Sequence, residues 1–256
     1  MPQSIWLIGG TKDSVTIAHK ISARKLPLIV TVTTPEARGL YDSQLHTAVG
    51  CMAPEAMVKF CQDQKITAII DASHPFAVVV SQNAIATAAQ LQIPYLRYER
   101  ATCEGSASDS IIVLDSFATL LQGDYLLGKR VLLTVGCKVL PQFQAWQDKC
   151  TLFARVLPKR ESLQTALAAG FTSDRLIALR PPLSVALETA LWQQWDISLV
   201  VTKASGKTGG EAIKQQVASQ LNIPLIAIAR PQVIYPQQTS CLDEIIAFLN
   251  PMSLRR

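Results

Sequence analysis

The chain repeats itself at long range: Leu91-Gln92-Ile93-Pro94 and Arg100 return 130 residues later as Leu221-Asn222-Ile223-Pro224 and Arg230. In the same ungapped alignment Asp71-Ala72-Ser73-His74 falls on Val201-Thr202-Lys203-Ala204. A repeat of that length is the size of a domain. The 256 residues are therefore expected to fold as two related halves, 1–102 and 103–256, with the small, polar run 101–110 as the boundary.

Within each half the pattern alternates short apolar runs with amphipathic stretches, which is the signature of strands joined by helices into a parallel sheet. In the first half strands are expected at 4–8, 27–33, 66–70 and 93–100, with helices at 13–23, 54–64 and 78–91. The second half is expected to place strands at 128–135, 152–157, 175–179 and 197–201, a closing strand after 221, and helices at 162–169, 184–195 and 211–221. With 49% hydrophobic and 17% charged residues, the chain can cover a parallel sheet on both faces. The fold class is α/β, two Rossmann-like domains with a cofactor and substrate cleft between them.

Composition excludes several functions. Net charge is +5 without clustering on one element, which suits a small polyanionic ligand and no nucleic acid. There is no targeting segment after Met1 and no apolar run of membrane-spanning length, so a cytosolic protein without a membrane partner is expected. The six cysteines form no C-x-x-C pair and the three histidines lack metal-ligand spacing, so reduced, buried thiols and no metal are expected.

In the first half three stretches carry candidate chemistry. Gly9-Gly10-Thr11 follows the first strand, where glycines bring backbone close to a phosphate at a helix start, or serve packing alone. The second strand ends Thr33-Thr34-Pro35-Glu36-Ala37-Arg38, where an acidic group would meet a ribose hydroxyl and a basic one a 2′-phosphate; the choice stays open. The third strand ends in Asp71-Ala72-Ser73-His74, putting polar groups at the carboxyl edge of the sheet; the alternative is a helix-entry turn with Asp71 or Ser73 as cap.

In the second half Lys203-Ala204-Ser205-Gly206-Lys207-Thr208-Gly209-Gly210 is a loop of anion-binding type. It is not a Walker loop: that motif needs glycine where Val201 stands, and the helix can start only after Gly209-Gly210. Tyr125 and Lys129 have the spacing of a short-chain dehydrogenase pair, but Gly128 between them and the strand that follows argue against a helix there. A non-catalytic cytosolic sensor of a nucleotide or tetrapyrrole is the alternative from another class.

Taken in order, Ile8-Gly9-Gly10-Thr11, Asp71 to Ala77, Arg97-Tyr98-Glu99-Arg100, Thr134-Val135-Gly136-Cys137-Lys138, Thr202 to Gly206 with Gly209-Gly210, and Ala229-Arg230-Pro231 resemble the precorrin-6A / cobalt-precorrin-6A reductases of cobalamin biosynthesis. The resemblance implies hydride transfer from NADPH or NADH to a ring double bond of a tetrapyrrole, with protonation of the neighbouring carbon. It also implies transient contact with neighbouring pathway enzymes. Carried over by position, His74 and Lys203 are the candidate catalytic residues. Gly9, Gly10, Thr11, Thr33 and Thr34 would bind cofactor, with Thr134, Gly136, Cys137, Lys138, Ser205 and Gly206 from the second half. Asp71, Ser73, His74 and Arg97, with Lys203, Lys207 and Arg230, would bind substrate. Cys137 stands where the family usually has serine, and Arg180-Pro181-Pro182-Leu183-Ser184 replaces a Gly-Pro-Phe-Ser turn.

Overall fold

The computed structural model describes residues 3–100, 111–206 and 210–253. The chain runs β1 (Ser4–Ile8), α1 (Lys12–Ser22), β2 (Leu28–Val32), α2 (Pro35–Arg38), β3 (His46–Val49), α3 (Pro54–Asp63), β4 (Ile66–Asp71), α4 (Val78–Leu91) and β5 (Tyr95–Tyr98). It continues with β6 (Ile111–Leu114), α5 (Phe117–Gln122), β7 (Arg130–Thr134), a 3-10 helix Cys137–Trp146, β8 (Thr151–Val156), α6 (Arg160–Ala168), a 3-10 turn Ser173–Arg175 and β9 (Leu176–Ala178). Then come α7 (Val185–Gln194), β10 (Leu199–Lys203), α8 (Glu211–Leu221), β11 (Leu225–Ile228), β12 (Gln238–Thr239) and α9 (Leu242–Ser253).

Among the described residues two six-stranded sheets form, in the orders β12-β5-β4-β1-β2-β3 and β6-β11-β10-β7-β8-β9, and every strand pair is parallel. The sheets match position by position, β1 with β7, β4 with β10 and β5 with β11. Each strand's apolar side chains alternate between faces. Ile5 and Leu7 of β1 join a core with Ile17 and Ile21 of α1, while Trp6 and Ile8 join another with Met57 and Ala84. The indole N–H of Trp6, fully buried, donates to Thr31 Oγ1 at 2.8 Å, so its polar end is not stranded.

The repeat reaches the backbone. Gln92 ends α4 at φ 52, ψ 39 and Asn222 ends α8 at φ 54, ψ 39, both left-handed. Ile93 N–H donates to Ala88 O at 3.0 Å and Ile223 N–H to Ala218 O at 2.9 Å, the same six-to-one closure in each half. A non-glycine residue in this region costs about 1–2 kcal/mol, partly offset by the extra freedom glycine loses on folding. Gln92→Gly is therefore expected to raise stability by about 0.5–1 kcal/mol in urea unfolding, and an unchanged midpoint would show that Gln92 is not strained there.

The two compact units are Met1–Ala101 with Gln232–Arg256, and Thr102–Pro231. This corrects the expected second domain 103–256, because Gln232–Arg256 returns to the first unit. The physical reason is pairing and burial. Arg97 N–H donates to Gln237 O and Glu99 N–H to Thr239 O, both at 2.9 Å, which makes β12 the edge strand beside β5. Ile245, Ile246 and Leu249 of α9 then enter the core built on Ile5 and Leu7. The exchange is reciprocal: the strand and helix after β5, which are β6 and α5, belong to the second unit, and those after β11, which are β12 and α9, belong to the first. The expected boundary 101–110 lies outside the described residues. No helix among the described residues is long and apolar enough to cross a membrane.

Candidate functional site

At the carboxyl edge of the first sheet, Asp71 is fully buried and closes a polar cluster. Its carboxylate accepts from Ser73 N at 2.9 Å, Ser81 Oγ at 2.6 Å, Tyr95 Oη at 2.7 Å and Arg97 Nη1 at 2.9 Å. Arg97 is 1% exposed, and its Nε donates to Glu99 at 3.1 Å while its guanidinium lies 5.3 Å from the Tyr235 ring centroid. Asp71 and Arg97, both expected to bind substrate, are set side by side by the parallel register and turned inward onto each other. Ser73 is buried with them, its Oγ accepting from Arg97 Nη1 at 3.1 Å. His74 alone of this set is exposed, and its Nδ1 accepts from Phe76 N at 3.2 Å, which leaves the proton of a neutral ring on Nε2.

The first glycine turn, expected to meet a phosphate or to serve packing alone, packs against Tyr41. A Cβ on Gly9 would overlap the Tyr41 hydroxyl oxygen and lie 3.0 Å from Val30 Cγ1. Gly10, at φ +100, donates its N–H to Tyr41 Oη at 2.8 Å. Thr11 caps α1: its Oγ1 accepts from Ser14 N at 3.1 Å and donates to Ala72 O at 2.9 Å. The donors of this turn are thus already used inside the protein. Thr34 caps α2 by accepting from Ala37 N at 3.3 Å, and Thr33, Glu36 and Arg38 are exposed.

The equivalent turn of the second sheet follows β7. Gly136 is exposed at φ +82 with no atom within 4 Å of where its Cβ would stand, and exposed Lys138 follows it in the first turn of the 3-10 helix. Thr134 is tied to the sheet by Oγ1 donating to Val201 O at 3.2 Å, and Cys137 is half-buried. Lys203, at the end of β10, is half-buried with Nζ 5.7 Å from the Phe117 ring centroid. Burial pulls its pKa down to about 8; a Cys137 thiolate would act upward and the Lys138 charge acts downward.

Ser205 and Gly206, expected to line a ligand, are buried. Gly206 N–H donates to Glu211 Oε2 at 2.6 Å, so a carboxylate of the protein itself takes up this backbone donor. Beneath it lies an ionic group absent from the sequence reading. Glu188 accepts from Arg155 and, at 3.1 Å, from Trp192 Nε1, while Lys214, 2% exposed, has its pKa lowered by burial and by Arg155. The acidic residue heading α8 was the one visible sign of it. Arg230 is half-buried with Nε donating to Ala204 O at 2.9 Å, which anchors the same loop. The candidate Lys207 lies outside the described residues.

Tyr125 and Lys129 stand in a turn before β7 and not on one helical face, as the dehydrogenase pair would require. Among the described cysteines, Cys51 and Cys241 are exposed, which corrects the expectation of wholly buried thiols; buried Cys61 and Cys150 are pushed up to about 12 and about 11. Among the described residues no group of three or more His, Cys, Asp and Glu could hold a metal ion.

The sequence model of the family described as precorrin-6x reductase CbiJ/CobK matches residues 4–250. A Synechocystis sp. protein described as cobalt-precorrin-6A reductase is 48% identical over 250 residues, covering 96% of this chain and 95% of that one. A Priestia megaterium protein of the same description is 30% identical over 249 residues, covering 94% and 96%. The solved structure of a CobK precorrin-6A reductase superposes with a TM-score of 0.80 at 23% identity, covering 98% and 97% of the two chains, a likeness of fold.

Proposed function

The chain belongs to the precorrin-6x reductase CbiJ/CobK family, and we propose that the ring it reduces carries cobalt. The enzyme is an oxidoreductase of cobalamin biosynthesis that uses a nicotinamide cofactor on a tetrapyrrole substrate. The single observation behind the cobalt assignment is the 48% identity, over nearly the whole of both chains, to a protein described as cobalt-precorrin-6A reductase.

When bound, the nicotinamide supplies the hydride, with both electrons of the new C–H bond, to one carbon of the reduced double bond. The protein's task is to hold that carbon in reach and to provide a proton for its neighbour. Gly136, with open space over its Cα, and Lys138 suit the cofactor's phosphates. Thr134 positions the turn from the sheet. Lys203 Nζ, with its pKa lowered to about 8, is charged at neutral pH yet gives up its proton more readily than an ordinary lysine. Transfer of that proton to the neighbouring carbon completes the reduction. Arg97 supports the first sheet edge from within, and His74 keeps the assignment to a substrate carboxylate.

The test is an anaerobic assay with cobalt-precorrin-6A and metal-free precorrin-6A in parallel, following loss of reduced-nicotinamide absorbance. The cobalt form is expected to turn over with at least about tenfold higher kcat/KM, a difference of about 1.4 kcal/mol in transition-state binding. Equal or reversed values would sink the cobalt assignment while leaving the reductase class untouched. Running each substrate with NADPH and with NADH gives the cofactor preference in the same experiment.

A further inference from the structure

The glycine turn after the first strand of a Rossmann unit ordinarily brings backbone N–H groups against a dinucleotide's phosphates. Here that place is taken. Tyr41 is 7% exposed and belongs to the core built on Ile5, Leu7 and Ile17. Its hydroxyl oxygen accepts from Gly10 N at 2.8 Å and lies 2.5 Å from Ser14 Oγ. Because Ser14 Oγ spends its own proton on Thr11 O at 2.7 Å, the phenolic proton of Tyr41 goes to Ser14. Both bonding directions of the hydroxyl are therefore satisfied. The absence of a side chain at Gly9 is what lets this oxygen approach, since a Cβ there would overlap it. In the second unit the residue 130 positions on is Phe171, also buried but without a hydroxyl; the space over Gly136 is open, as it is over Gly10, so what sets the first turn apart is the tyrosine hydroxyl on the Gly10 N–H.

We infer that Tyr41 is the built-in occupant of the Gly9-Gly10-Thr11 turn and closes it to nucleotide phosphate, leaving the dinucleotide's phosphates to the Thr134-to-Lys138 turn of the second unit. The inference rests on the nicotinamide reading above. Each feature has a separate reason to exist: Gly9 admits the tyrosine, Gly10 supplies the positive φ and the donor, and Ser14 completes the cap. None is left over for a ligand. Displacing Tyr41 would also uncover an aromatic ring from the core, a cost a phosphate at this turn would have to overcome.

The experiment measures NADPH and NADH affinity by fluorescence titration, together with thermal unfolding, in the full-length wild type and in Gly9→Ala, Tyr41→Phe, the double variant and Lys138→Ala. Tyr41→Phe is expected to keep the cofactor Kd within about twofold while losing some stability. Gly9→Ala is expected to fall in Tm, with part of that loss recovered when Tyr41→Phe removes the clashing oxygen, and with Kd unchanged. Lys138→Ala is expected to weaken Kd about tenfold, the scale of one charge-assisted contact. A Kd that tightens tenfold or more in Tyr41→Phe would mean that the hydroxyl competes with phosphate, and the inference falls. Loss of binding in a folded Gly9→Ala overturns it as well. Should Gly9→Ala fail to fold, Tyr41→Phe decides alone. A wild type that binds neither dinucleotide, free or with substrate present, would instead bring down the cofactor reading on which this one stands.

Discussion

Arg97→Ala is expected to cost about 3–5 kcal/mol of stability, seen as a large fall in the urea midpoint. Its guanidinium is 1% exposed and meets a carboxylate that is fully buried, at 2.9 Å. Removing it strands Asp71 with three neutral donors, Ser73 N, Ser81 Oγ and Tyr95 Oη, where four groups had held the charge. Those three remain strong enough to place the loss toward the lower end of the range. Arg97 also holds Ser73 Oγ and faces Tyr235, so the segment that closes the sheet edge loosens with it. A loss below about 1 kcal/mol would show that the cluster is solvated in solution and that Arg97 is available to a ligand after all.

The second large effect is on turnover. Lys203→Ala is expected to lower kcat by about 10²–10⁴-fold, the usual worth of a positioned general acid, with KM changed much less. Its signature is in pH. Nζ titrates at about 8, so in the wild type kcat falls as pH rises through that value, and in the variant this alkaline limb disappears. Stability moves the other way. In the unfolded chain the group returns to its ordinary 10.5, so the cost of burying the ammonium is present in full below about 8 and is relieved as pH rises from there toward 10.5. A raised KM with unchanged kcat in Lys203→Ala would reduce the residue to a binding cation.

What could be read from the sequence was whatever is written locally. The run Ser4–Ile8, the helix Val78–Leu91 and the helix Glu211–Leu221 lie where periodicity put them, because each carries its apolar pattern within its own consecutive residues. The halves matched at Gln92 and Asn222 because both end a helix in the same left-handed turn. Strand β12 could not be read: it has two residues, and only the groups of Arg97 and Glu99 across from it make it a strand. His46–Val49 carries too little apolar surface to stand out, with His46 and Val49 both exposed. The same division runs through the candidate site. Lys203 and the Gly136 turn were visible as residue types at strand ends. Tyr41, which decides what the first turn can hold, lies more than thirty positions from Gly9 and reads in isolation as one more core aromatic. Asp71 and Arg97 were noticed for their charge, and only the register of β4 against β5 reveals that they spend it on each other.

A nascent polypeptide leaves the ribosome amino end first, and domains commonly close in that order. Here the order of closure is turned around. When Tyr98 emerges, the first sheet still lacks its edge strand, and the core around Ile5 and Leu7 still lacks Ile245, Ile246 and Leu249. All of Thr102–Pro231 must be made before those pieces exist, whereas that middle stretch is contiguous and holds every strand of its own sheet. The unit begun first is the one finished last, and until then Asp71 and Arg97 wait beside an open edge.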